Sequence, residues 1–246
     1  MADVNLNSAE RAHEHLVQFF GGDDARLGRN VARFLNESLR NGGAAIVIAG
    51  PERRETIGGG LLSGHVVCLD AKETLATFLD GDGQPDPKGF DASCGTVVRG
   101  LREKYGRLRG YGEMVGVLWS QRSFAAAIAL EALWNTLIHS VGFDIFCGYP
   151  IDVLSEDFQL ACVHPLLDCH TRVVPAVAHN FGNAMRRATD DVLGNHNDGL
   201  RSLTLARSAS LDTFVPTAEQ MILRLRSTLP RYADEILAKA QEYVQA

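Results

Sequence analysis

The chain has 246 residues, 46 % hydrophobic and 22 % charged, with a formal net charge of −6. That balance belongs to a globular protein with a sizeable core, not to a disordered or fibrous one. The acidic excess argues against direct nucleic-acid binding, which usually shows a basic face. No apolar run reads as long enough to cross a bilayer, and the polar N-terminus MADVNLNSAERAHEHL lacks the form of a signal peptide. The expectation is a cytoplasmic protein with no membrane partner. Five cysteines (Cys68, Cys94, Cys147, Cys162, Cys169) without framework spacing read as reduced thiols.

The elements follow in chain order. HLVQFF at 15–20 has strand character, and residues 24–40 set Leu27, Val31, Phe34, Leu35 and Leu39 at helical spacing. Asn41-Gly42-Gly43 stops that helix. AAIVIA at 44–49 suits a strand covered on both faces. Pro51 opens a helix to about Leu62, and HVVCLD at 65–70 is the next strand. Residues 71–80 and 88–105 read as helices around a DGQPDP loop. GYGEMVGVLW at 110–119 reads as a strand, 123–140 as a long helix, and FDIFCGYP at 143–150 as the last clear strand. Such alternation predicts an α/β three-layer sandwich with a mainly parallel central sheet and right-handed crossovers.

After Pro175 the pattern changes. Residues 183–213, with GNHND at 194–198 and SAS at 208–210, read as a polar connection. Two amphipathic helices, 217–228 and 231–245, split at Pro230, form a C-terminal helical extension that packs on the domain or on a partner. The domain division read from this is 1–182 and 183–246.

The first strand and first helix are joined by Phe20-Gly21-Gly22-Asp23-Asp24-Ala25-Arg26. A phosphate-binding loop occupies that place in many α/β folds, but it needs a Lys and a following hydroxyl. Here two carboxylates stand instead. They repel a polyphosphate and suit the helix N-terminus themselves, with Asp23 or Asp24 as the cap. Arg26 and Arg29 are a weak anion signal. The segment reads as a loop in the phosphate position without phosphate chemistry.

Six strings in order carry a family resemblance: His15-Leu16-Val17-Gln18-Phe19-Phe20; Leu69-Asp70-Ala71-Lys72-Glu73-Thr74-Leu75; Gly112-Glu113-Met114-Val115 with Leu118-Trp119; Leu130-Glu131-Ala132-Leu133-Trp134-Asn135; Cys147-Gly148-Tyr149-Pro150; and His170-Thr171-Arg172-Val173-Val174-Pro175. Over roughly 13–175 the chain resembles the MEDS domain, the sensory domain of the dichloromethane regulator DcmR. The resemblance implies a degenerate relative of the KaiC/RecA-like ATPase fold. It also implies a domain that senses small hydrocarbon derivatives or related signals and is joined to DNA-binding or kinase outputs. No helix-turn-helix or kinase module is recognised around it, and the C-terminal helices lie outside the family pattern.

Two carboxylates stand in apolar surroundings. Glu113 interrupts the run 110–119, and Glu131 falls in the apolar stripe of the helix 123–140, marked by Phe124, Ala127, Ile128, Trp134 and Ile138. A buried carboxylate needs a partner, and His15 or Arg109 would serve Glu131. His15, Glu113, Trp119, Glu131 and Trp134 are therefore read as lining one small-molecule pocket, with Tyr149 and His170 added. A structural buried network without ligand is the competing reading. Cys162, His164, Cys169 and His170 form the metal-like set, but their spacing is unlike a zinc site, so neither metal nor cofactor is expected. No Gly-x-Ser-x-Gly elbow is present and no catalytic residue is named. The reading is a non-enzymatic sensory or regulatory domain with a small-molecule ligand, a regulatory partner protein and room for a homo-oligomer. The alternatives are a KaiC-like nucleotide binder, or an enzyme using Glu113 or Glu131 as acid/base.

Overall fold

A computed structural model describes residues 13–21, 24–194 and 214–245. Six strands form one sheet: β1 (His15–Phe19), β2 (Ala44–Ala49), β3 (His65–Asp70), β4 (Leu108–Gly112), β5 (Asp144–Tyr149) and β6 (Arg172–Val173). Their order is β3-β2-β4-β5-β1-β6 and all pairs are parallel. Among the described residues the helices are α1 (Asp24–Leu39), α2 (Pro51–Gly58), α3 (Ala71–Ala76), α4 (Pro87–Phe90), α5 (Thr96–Tyr105), α6 (Met114–Ser120), α7 (Phe124–Val141), α8 (Leu160–Cys169), α9 (Phe181–Leu193), α10 (Thr217–Thr228) and α11 (Ala233–Gln245), with a π-helical turn at Asp91–Gly95. The expected α/β three-layer arrangement is what forms.

Strand alternation divides the core in two. On one face Leu16, Ala45, Val47, Ala49, Tyr111 and Phe146 meet α1 and α2 through Leu27, Val31, Leu35 and Ile57. On the other, Val17, Phe19, Ile46, Ile48, Ile145, Cys147 and Tyr149 meet α5, α6, α7 and α8. Crossovers from β1 to β2 and from β2 to β3 run one way along the sheet; those from β3 onward run back. Right-handed crossovers place these two sets of helices on opposite faces. The chain leaving β1 therefore diverges from the chain leaving its neighbour β5, which opens a crevice at the carboxyl ends of that pair.

Three readings of the sequence are corrected. The run 110–119 is strand only to Gly112; Glu113 ends it and Met114 begins α6. Met114, Val115, Gly116 and Leu118 are all buried, so the segment is apolar without helical period. Residues 181–193, read mostly as connection, form α9, with Phe181, Ala184, Met185 and Ala188 on its buried side. The remainder of that polar segment, 195–213, lies outside the described residues, as do Gly22 and Asp23 of the opening loop. Lastly, α7 is long and apolar enough by composition to cross a bilayer, contrary to expectation. In this fold it is a core helix with Glu131 on its buried side.

The helices at 217–228 and 231–245 form as expected and join the larger core through Ile222, Leu225, Ile236 and Leu237. They are tied to the sheet domain by polar contacts: Val173 N–H donates to the Phe214 carbonyl at 2.7 Å, and Ala176 N–H donates to buried Glu219 at 2.8 Å. α9 packs against both α10 and α11.

Candidate functional site

Register builds the site. β1 pairs with β5 so that Val17 stands beside Cys147 and Phe19 beside Tyr149, which puts His15, Cys147 and Tyr149 on one face of the sheet. α7 crosses that face and lowers Glu131 onto it, wholly buried. The chain leaving α8 brings His170 alongside.

Four groups converge on the Glu131 carboxylate. The Tyr149 hydroxyl donates to Oε1 at 2.6 Å. His15 Nε2 lies 3.2 Å from Oε2, and His170 Nε2 lies 3.3 Å from Oε1. The Cys147 thiol faces Oε2 at 3.7 Å and His15 Nε2 at 3.3 Å. Burial alone would raise the Glu131 pKa, but the opposing pull of His170 and His15 is stronger and holds the carboxyl below its ordinary range. The same burial, with the Glu131 charge added, pushes Cys147 and Tyr149 well above theirs. Tyr149 is therefore a proton donor and Cys147 a neutral thiol in the metal-free chain.

The outer nitrogens of both rings are fixed. His170 Nδ1 faces the Leu166 carbonyl at 2.6 Å, a group that only accepts. His15 Nδ1 faces Asn135 Oδ1 at 2.9 Å, while the Asn135 amide nitrogen donates to the Cys169 carbonyl at 3.0 Å. Each Nδ1 thus carries the hydrogen, and each Nε2 points inward.

Above this centre lies a cleft of about 950 Å³ between α6, the start of α7, α8 and the segment after β5. Phe20, Trp119, Phe124, Ile128, Ile151 and Pro165 give it apolar walls, and Arg122, Asp152 and Asp157 add polar groups. It occupies the β1/β5 crevice described above. The Trp119 ring meets Tyr149 edge-on at 5.6 Å between centroids. Tyr149 in turn holds Glu131, so one aromatic contact separates the cleft from the buried centre.

Of the residues singled out in the sequence, His15, Glu131, Tyr149 and His170 come together, and Trp119 stands next to them as the cleft wall. His15 is a partner of Glu131 as expected. Arg109 is not: it pairs with Glu37 at 2.5 Å and Asp144 at 3.3 Å. Glu113 does not join either. It sits at the end of β4, where it takes Arg53 Nε at 2.6 Å and the Tyr111 hydroxyl at 2.8 Å. There it borders a separate cleft of about 350 Å³ with Arg53 and Lys72. Trp134 packs on Phe90 and Phe143 in the core. The metal-like set disperses: Cys162 is exposed, His164 pairs with Asp168 on the surface, and the Cys169 thiol turns to the Pro165 carbonyl. Cys147 and Asn135 were missed as site residues. The signal for Cys147 was its place two residues before Tyr149 on the same strand face.

Fold and centre together define an open parallel α/β domain whose polar residues are gathered under one helix-covered face, beside a cleft at a strand crevice. A family model, the MEthanogen/methylotroph, DcmR Sensory domain (MEDS), matches residues 14–165. The chain belongs to the MEDS family, a family of sensory domains. No curated protein matches the chain.

Proposed function

We propose that the chain is a non-catalytic sensory domain that takes a small organic ligand in the cleft walled by Trp119, Phe124 and Ile128. A single observation carries the reading. The cleft of about 950 Å³ opens at the carboxyl ends of β1 and β5, where parallel sheets take their ligands, and its walls are mostly apolar with a few polar groups. Its volume suits a hydrocarbon derivative with an extended chain or a ring better than a one-carbon compound. Membership of the sensory family supports the same reading.

The mechanism is a population shift: a ligand that binds one arrangement of α6, α7 and α8 better than another biases the domain toward it. The Trp119–Tyr149 contact links cleft occupancy to Glu131 on α7. A regulatory partner protein then reads the changed helical surface.

The chain has two tryptophans, and Trp119 alone of them lines the cleft. Titration with hydrocarbon derivatives of increasing chain length is expected to change the intrinsic fluorescence and to raise the melting temperature. Trp119→Phe should abolish the fluorescence change, and Trp134→Phe should keep it. A flat fluorescence and melting response across the series at millimolar concentration would overturn the assignment.

A further inference from the structure

We propose that His15, Glu131, Cys147 and His170 together bind one divalent d¹⁰ metal ion, zinc by the character of the donor set. One nitrogen, oxygen or sulfur atom from each of the four lies within 4.8 Å of every other. A tetrahedral zinc ion, with bonds of about 2.0–2.3 Å, needs ligand–ligand edges of about 3.3–3.8 Å. The three separations among His15 Nε2, Glu131 Oε2 and Cys147 Sγ, at 3.2, 3.3 and 3.7 Å, are already close to those edges, and His170 Nε2 stands 3.3 Å from the other oxygen of the same carboxylate.

The surroundings are those of a ligand set. Both rings give their Nδ1 hydrogens to oxygen acceptors and turn Nε2 inward, which is how metal-binding imidazoles are normally held. The Tyr149 hydroxyl steadies Oε1 of the carboxylate and leaves Oε2 facing His15 and Cys147. Despite complete burial, His170 Nε2 makes no hydrogen bond among the described residues; Glu131 Oε1 is 3.3 Å away but misaligned. A buried inward nitrogen left without a hydrogen bond beside a carboxylate and a thiol is a place that a metal cation would satisfy.

Charge points the same way. One thiolate, one carboxylate and two neutral imidazoles balance a dication to zero, so the completed centre has no net charge to desolvate. On binding, the Cys147 S–H proton leaves to solvent and the thiolate forms its bond to the metal. Four protein donors close the coordination shell, so the centre is structural in type. It joins β1, α7, β5 and the end of α8, and so ties His15 to residues more than a hundred positions further along the chain.

The test is metal content and cobalt substitution on the full chain. Protein purified without chelator should hold about one zinc per chain by elemental mass spectrometry. Refolding with Co(II) in place of zinc should produce intense visible bands of four-coordinate cobalt and a near-ultraviolet thiolate-to-metal band. Cys147→Ser should remove the thiolate band. Cys162→Ser and Cys169→Ser, which alter thiols outside the set, should keep it. Should Cys147→Ser fail to fold, the wild-type cobalt spectrum with the two control variants still decides. Metal-free protein that refolds to the same stability with or without zinc, and shows only the spectrum of hexaaqua cobalt, would overturn the site. So would a thiolate band that survives Cys147→Ser. The fluorescence titration of the cleft is independent of these readouts, so either assignment can fail alone.

Discussion

Tyr149→Phe removes one oxygen and keeps the ring, so its effect isolates a single hydrogen bond. The hydroxyl donates at 2.6 Å to a carboxylate that is fully buried, and the phenol itself is inaccessible. Water cannot replace the lost donor there. A hydrogen bond to a charged group contributes about 1.5–3 kcal/mol. A domain of this length loses about 2–4 °C of melting temperature per kcal/mol, so the expected drop is roughly 3–12 °C. Urea unfolding followed by circular dichroism measures the free energy, with the m-value checking that the native state has not loosened. Tyr243→Phe is the contrast: its hydroxyl also meets a carboxylate, Asp191, but on an exposed surface, and no measurable change is expected. A loss below about 0.5 kcal/mol for Tyr149→Phe would refute the reasoning, because a charged acceptor stripped of a buried donor cannot be neutral.

In metal-free protein the depressed Glu131 pKa fixes the sign of an acid dependence. Its stabilising contribution is complete above the ordinary value of 4.5 and is lost as pH falls below it, so Glu131→Gln should flatten stability against pH on the acid side; an unchanged acid slope would contradict the ionised carboxylate. Gly116→Ala would place a methyl 2.7 Å from the Gly148 carbonyl and 3.0 Å from Pro150, forcing α6 off β5; urea unfolding should show a loss of about 1–3 kcal/mol, and unaltered stability would contradict that close packing. Thiol alkylation should be fast at exposed Cys68 and Cys162, slow at Cys169, whose burial pushes it to about 11, and absent at Cys147 and at Cys94, which burial pushes up to about 12, until the chain is unfolded. Peptide mass spectrometry of the labelled chain reads all five, and early label on Cys147 would mean that the centre is open.

Elements with one strong period were legible. Leu27, Val31, Phe34, Leu35 and Leu39 marked α1, and the unbroken AAIVIA marked a strand buried on both faces. MVGVLW was not legible as a helix, because α6 is enclosed on nearly every side and so shows no polar stripe from which to read a period. α9 was hidden for the opposite reason: two of its buried positions are alanines among charged residues. β6 has two residues and no pattern at all. In the site, Glu131 could be found as a charge on an apolar stripe, and His15 as its partner. Glu113 satisfied the same test from sequence yet belongs elsewhere, since its true setting depends on where β4 ends. Cys147 carried only its spacing two residues before Tyr149; that this face meets His15 depends on the β1–β5 register, and pairing between residues some 130 positions apart leaves no local mark.

β1 comes first in the chain of the six strands described, yet it is hemmed in by β5 and β6, whose residues come from 144–149 and 172–173. During synthesis HLVQF must wait, with both of its edges open, until most of the sheet has been made. Such a distant pairing slows folding and leaves a sticky segment exposed to neighbours. Interruption of synthesis before Val173 would strand the opening segment without a berth, and the nascent product should be prone to clump and to need chaperone shelter.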